Sequence, residues 1–172
     1  MLVAASALAE RIDGVTIASG LGLLTNREHL EGASVSNRAL LSLARKGGLV
    51  ARLPLAVPYL VTRLSPATHK PRGDDDRLGV LMREMRETFS QGTGGLARDL
   101  STACRLEQVD LAAVKQRVMA WHGTGDRHAP LAAMRALIGR MPNASLHVVE
   151  GADHFLFESH AELILAGLHR SD

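Results

Sequence analysis

The sequence predicts an α/β fold of about three parallel strands with flanking helices and an inserted helical block. Three observations carry this. A β-branched run in "DGVTIASG" follows an Ala-rich segment near the amino end, and two further apolar runs, Val118 to Trp121 and "SLHVVEG", lie close together near the carboxyl end. Between the first run and the second, amphipathic helical patterns alternate with Gly and Pro breaks, and no convincing strand appears.

In chain order, residues Leu2 to Arg11 are rich in strong helix formers. The turn at Asp13 and Gly14, the strand Val15 to Ser19 and a Gly stop follow. Inside the helical block Val35, Ala39, Leu40, Leu43 and Ala44 recur at helical spacing, as do Leu78, Leu81, Met82, Met85 and Phe89, so each stripe is expected to bury one face. The triplet Asp74, Asp75, Asp76 reads as the cap of the second of these helices, where negative charge and side-chain acceptors meet free N–H groups. The glycines of "QGTGGLARDL" follow no strand and precede no P-loop Lys, so they read as a loop before a short helix.

After Ala113 the pattern is strand, helix, strand, helix. Val118 to Trp121 is continuously apolar, as a parallel strand covered on both faces should be. Pro130 suits the first turn of a helix with Leu131, Met134, Ile138 and Met141 on one stripe, ended by Pro142. A last helix is expected from about His160 to His169, with Leu163, Ile164 and Leu168 on its apolar face. The chain thus divides into a helix and strand at 1–22, a helical cap or lid at 23–113, and a second core segment at 114–172.

Composition narrows the function classes. Lys plus Arg at 20 against Asp plus Glu at 18 leaves a formal charge of +2, which is no basic stripe for nucleic acid. The single Cys104 forms no intrachain disulfide, and no CxxC or Cys/His cluster holds structural zinc. The start, "MLVAASALAE", has no basic n-region and reaches Glu10 and Arg11 too soon for a secretory signal, so a reducing, cytoplasmic location is expected. The most apolar stretch, "GGLVARLPLAVPYLVTRL", carries Arg52, Pro54 and Pro58 and reads as a bent, partly exposed element rather than a membrane span.

Two turns at the carboxyl ends of parallel strands stand out: "HGTGDRHAP" with Asp126 and "EGADHFLF" with His154. Ligands and catalytic groups collect at that edge of open α/β sheets. Neighbouring strands joined by one crossover helix would bring the turns together, so that the carboxylate accepts from an imidazole N–H, the orienting half of a nucleophile, base and acid relay. Each residue also has a plainer reading: Asp126 as the N-cap of the next helix, His154 as a cap of the last one. His122, His128 and Asp153 lie near His154 in sequence, but no HxxxH or HxH pair supports a metal site. His29, His69, His147, His160 and His169 read as surface or strand positions.

At these residues the sequence resembles the C-terminal part of the α/β-hydrolase fold, in which the triad order is nucleophile, acid, His. "WHGTGDRHAP" resembles the acid-bearing turn and "LHVVEGADHF" the His-bearing turn, with the lead-in "GRMPNAS" also typical. The resemblance covers about Asp110 to the end and the first 22 residues; the block between resembles the helical cap only in position and composition. It implies Asp126 as acid and His154 as base. No G-x-S-x-G occurs in the 172 residues. Ser19 in "ASGLG" ends a strand, but its glycines are misplaced and its strand matches the one after the nucleophile's, while Ser6 lies in helix. The nucleophile elbow and the oxyanion donors would lie upstream of Met1, so the chain reads as truncated, and efficient hydrolysis by it alone is not expected.

What the resemblance implies for function is a serine-hydrolase type of protein acting on an ester or amide-like acyl bond, with no cofactor and no metal. The alternative is a non-catalytic relative that binds a small apolar ligand or a protein. Expected partners are a small acyl substrate or apolar ligand, with neither nucleic acid nor membrane. The strand Val15 to Ser19 would leave one sheet edge open, a route to self-association.

Overall fold

The computed structural model describes residues 2–64 and 77–169. They form two compact units, 1–38 with 105–172 and 39–104. Asp74, Asp75, Asp76 and His69 lie outside the described residues, as do the side chains of Leu78, Leu81 and Leu168.

The first unit is built on three strands, β1 (Gly14–Ala18), β2 (Arg117–Gly123) and β3 (Ala144–Val149), in the order β1-β2-β3 and all parallel. The register pairs Ala18 with Trp121 and Gly123 with Val149, so all three strands end at one edge of the sheet. One face packs on α1 (Leu2–Ala7) and α6 (Leu131–Ile138) through a core that includes Leu2, Ala5, Val15, Val118, Ala120, Met134 and Leu137. The other face packs on α7 (Leu156–His169), where Trp121, Ala152, Leu156 and Ile164 cluster. Alternate residues of β2 therefore serve opposite cores, which is why its sequence is apolar without alternation. Among the described residues β3 pairs with β2 alone; Ala144, Leu146 and Val149 are half-buried, while Ser145, His147 and Val148 are exposed.

Leu111 and Val114 belong to the sheet's core, and the N–H of Ser34 donates to the carbonyl of Arg127 at 3.0 Å. These contacts place 23–38 and 105–113 with the sheet, and the compact helical unit spans 39–104, beside the 23–113 block drawn from the sequence.

That second unit contains most of α2 (Val35–Lys46), a 3₁₀ segment Val50–Leu55 running into α3 (Ala56–Leu64), α4 (Arg77–Thr88) and α5 (Gly94–Ala103). Its core is Ala51, Leu55, Phe89 and Ala97, with Tyr59 and Phe89 meeting edge to face at 5.9 Å. The apolar 49–64 stretch is 3₁₀ from Val50 to Leu55 and α from Ala56, and it exposes Leu53, Val57, Leu60 and Leu64. Among the described residues no helix is long and apolar enough to cross a membrane.

Three helix expectations are corrected. In α2 the buried residues are Leu41 and Ala44, while Val35 and Ala39 are exposed, because the first turn of this helix is fastened through polar contacts of Ser34 and Asn37 rather than by packing. α6 ends at Ile138 with Gly139 as its C-cap, before Pro142 is reached. α7 starts at Leu156, not His160, because Asp153 accepts the free N–H of Phe155 at 2.9 Å; the helix kinks at His160, and Leu163 is exposed while Ile164 is buried.

Candidate active site

Asp126 and His154 sit in the two turns that leave β2 and β3 at the shared edge of the sheet. The turns fit closely. A Cβ on Gly123 would overlap the carbonyl of Ala152, and the N–H of Gly125 donates to that same carbonyl at 2.9 Å. The N–H of Gly151 in turn donates to the hydroxyl of Thr124 at 2.8 Å. Glycine at 123 is required here by close approach of another backbone.

The two oxygens of Asp126 do different work. Oδ1 accepts from the N–H groups of His128 and Ala129 at 2.8 and 2.9 Å, closing the turn on itself. Oδ2 faces Nδ1 of His154 at 2.9 Å. The helix after the turn starts at Leu131 with Pro130 before it, so Asp126 caps the turn and is not the N-cap of α6. Since an ionised carboxylate only accepts, the proton of this contact sits on Nδ1 and leaves Nε2 of His154 as the outward-facing nitrogen. The Asp126 side chain is fully buried, whereas that of His154 is 38% exposed.

Burial alone would push the carboxyl of Asp126 up, but the hydrogen bond from His154, the N–H groups of Ala129 and His128 and the attraction of His154 together hold it below its ordinary range. His154 is pushed up chiefly by its hydrogen bond to Asp126, against the opposing effect of burial, with the charges of Asp126 and Asp153 adding to the rise. Each partner thus favours the charged form of the other.

No family model and no curated protein matches the sequence. Solved structures do. An α/β-hydrolase enzyme from a Medee basin deep-sea metagenome library matches 99% of this chain at a TM-score of 0.56 and 15% identity, over 61% of its own length. The 2-hydroxy-6-oxo-6-phenylhexa-2,4-dienoate hydrolase from Rhodococcus sp. strain RHA1 matches 97% at 0.59 and 16%, over 57% of its length. A meta-cleavage product hydrolase from Pseudomonas fluorescens IP01 matches 97% at 0.57 and 16%, over 58%. This chain has part of an α/β-hydrolase fold. It spans 57% to 61% of the length of these three solved hydrolases.

On this portion of the α/β-hydrolase fold, the remaining candidates are placed as follows. Ser19, just past β1, has φ of 48° and a buried hydroxyl with no hydrogen-bond partner among the described residues, so it does not bond to His154. Ser6 lies in α1. His128 is brought beside His154, their ring centres 5.2 Å apart, and its Nδ1 is 3.1 Å from the amide nitrogen of Asn37. Asp153 caps the start of α7. Among the described residues no group of three His, Cys, Asp or Glu side chains could hold a metal ion. His147 stacks on Trp121 at 4.3 Å.

The reading from sequence missed the burial of His122 beneath the acid turn. Its signal was present, since position 122 continues the apolar run of a central strand and stands four residues before Asp126.

Proposed function

We propose that this chain supplies the acid and base of a serine-hydrolase-type site acting on an ester or amide-like acyl bond. The observation that carries the reading is the 2.9 Å contact of Asp126 Oδ2 with His154 Nδ1, at the carboxyl ends of neighbouring parallel strands. In such a relay the carboxylate holds the imidazole in one tautomer, and Nε2 takes the proton of an attacking hydroxyl and returns it to the leaving group. Asp126 is the acid and His154 the base. The hydroxyl nucleophile lies outside these 172 residues, because they contain no G-x-S-x-G and because the hydroxyl of Ser19 is buried without a bond to the base.

The same absence of G-x-S-x-G favours a second reading, a non-catalytic module of this fold that binds a small apolar ligand or a protein. Among the described residues β1 pairs with β2 alone, and its other edge would accept a further strand from a protein partner or a second copy. A fluorophosphonate probe tests the assignment. The 172-residue chain is expected to stay unlabelled, and a longer natural polypeptide or complex containing it to be labelled at a serine outside it. Labelling of Ser19 would overturn the assignment. An absence of labelling in every natural form would favour the binding module.

A further inference from the structure

One buried imidazole takes no part in the acid and base pair. His122, near the end of β2, is 0% exposed. Its Nε2 lies 3.0 Å from the carbonyl oxygen of Ala129, and a carbonyl only accepts, so the proton of this nitrogen points there. The same Nε2 lies 3.5 Å from Oδ2 of Asp126, the oxygen that meets His154. His122 Nδ1 is buried and has no hydrogen-bond partner among the described residues. A buried polar atom left unpaired costs free energy that an apolar side chain in the middle of a sheet would avoid.

The arrangement shows what that cost sustains. Ala129 is held at both of its backbone groups, its N–H by Oδ1 of Asp126 and its carbonyl by His122. The imidazole thereby ties the far end of the 123–129 turn back to the strand from which the turn starts, with the carboxylate enclosed between.

We propose that His122 is a positioning residue for the acid: its Nε2–H, anchored on the carbonyl of Ala129, closes the turn around Asp126 and holds Oδ2 where Nδ1 of His154 meets it. This rests on the reading of Asp126 and His154 as an acid and base pair. A ring without that donor fills the space but leaves the carbonyl of Ala129 unpaired and the turn free to open.

The test is an NMR titration of His154 in the full chain, beside thermal melts. The groups that bear on His154 are Asp126 and Asp153 by charge and His128, whose ring is its neighbour. In His122→Phe the midpoint of His154 is expected to fall, in the same direction as in Asp126→Asn but by less. In His122→Gln, whose amide nitrogen reaches about as far as Nε2, the midpoint should return toward the parent's. If the Phe variant does not fold, His122→Asn, polar but too short to reach the carbonyl of Ala129, replaces it with the same expected fall. A folded Phe or Asn variant with the parent's midpoint overturns the proposal, and so does a Gln variant displaced as far as Phe. An Asp126→Asn variant that leaves His154 unmoved overturns the pair itself, and the role of His122 with it.

Discussion

The acid turn and the His turn meet at one edge of the sheet but are built on opposite terms. Asp126 is fully buried and accepts from two backbone N–H groups besides facing His154. His154 is 38% exposed, and its one hydrogen-bond contact among the described residues is with Asp126. The carboxylate is fixed by the strand and turn that carry it, and the imidazole takes its orientation from the carboxylate while its second nitrogen stays accessible. In the relay proposed for this pair, a base that passes a proton outward needs that nitrogen free.

The strongest way to break this contrast is to remove what supports the His turn from below. Leu156, fully buried where α7 leaves that turn, should cost about 2 to 5 kcal/mol as Leu156→Ala, read from urea unfolding. Next comes Gly123→Ala, whose methyl must displace the backbone of Ala152 and is expected to cost about 1 to 3 kcal/mol. It should also return the His154 midpoint toward the ordinary imidazole value, because it forces the two turns apart, whereas Leu156→Ala leaves the acid turn intact.

Asp126→Asn has the next largest effect. Its amide oxygen can still accept from His128 and Ala129, so the turn survives and the loss is confined to the contact with His154. That loss is about 1 kcal/mol, kept small because His154 faces solvent. Its pH dependence has a definite sign. Asp126, held below its ordinary 3.8, contributes stability above that value that is lost as pH falls through its folded pKa. His154, raised above its ordinary 6.5, contributes stability below that value that is lost as pH rises through its folded pKa. The melting difference between parent and Asp126→Asn should therefore be largest between 3.8 and 6.5 and shrink on both sides. The smallest effect is expected for Val148→Thr, exposed on β3, within about 0.5 kcal/mol by urea unfolding and without change at His154.

The sheet was legible in the sequence because parallel strands covered on both faces must be apolar throughout, and Val118 to Trp121 is. The juxtaposition of Asp126 with His154 was legible for a related reason: one short crossover helix leaves neighbouring parallel strands little choice but to end together. The sequence favours the relay over the cap for Asp126, but it cannot divide a carboxylate into its two oxygens. In the fold Oδ1 caps the turn and Oδ2 meets the imidazole. Helix limits were less legible, since they depend on single local bonds such as that of Asp153 to the N–H of Phe155, which starts α7 earlier than its apolar spacing indicates. Which residues of α2 are buried is not legible, because spacing gives the width of an apolar face and not which residues the neighbouring elements cover.

The most direct test of the central claim is the tautomer of neutral His154, read from long-range proton–nitrogen NMR correlations above its titration midpoint. Contact with the carboxylate of Asp126 predicts the proton on Nδ1. A proton on Nε2, with Nδ1 bare toward Asp126, would contradict it.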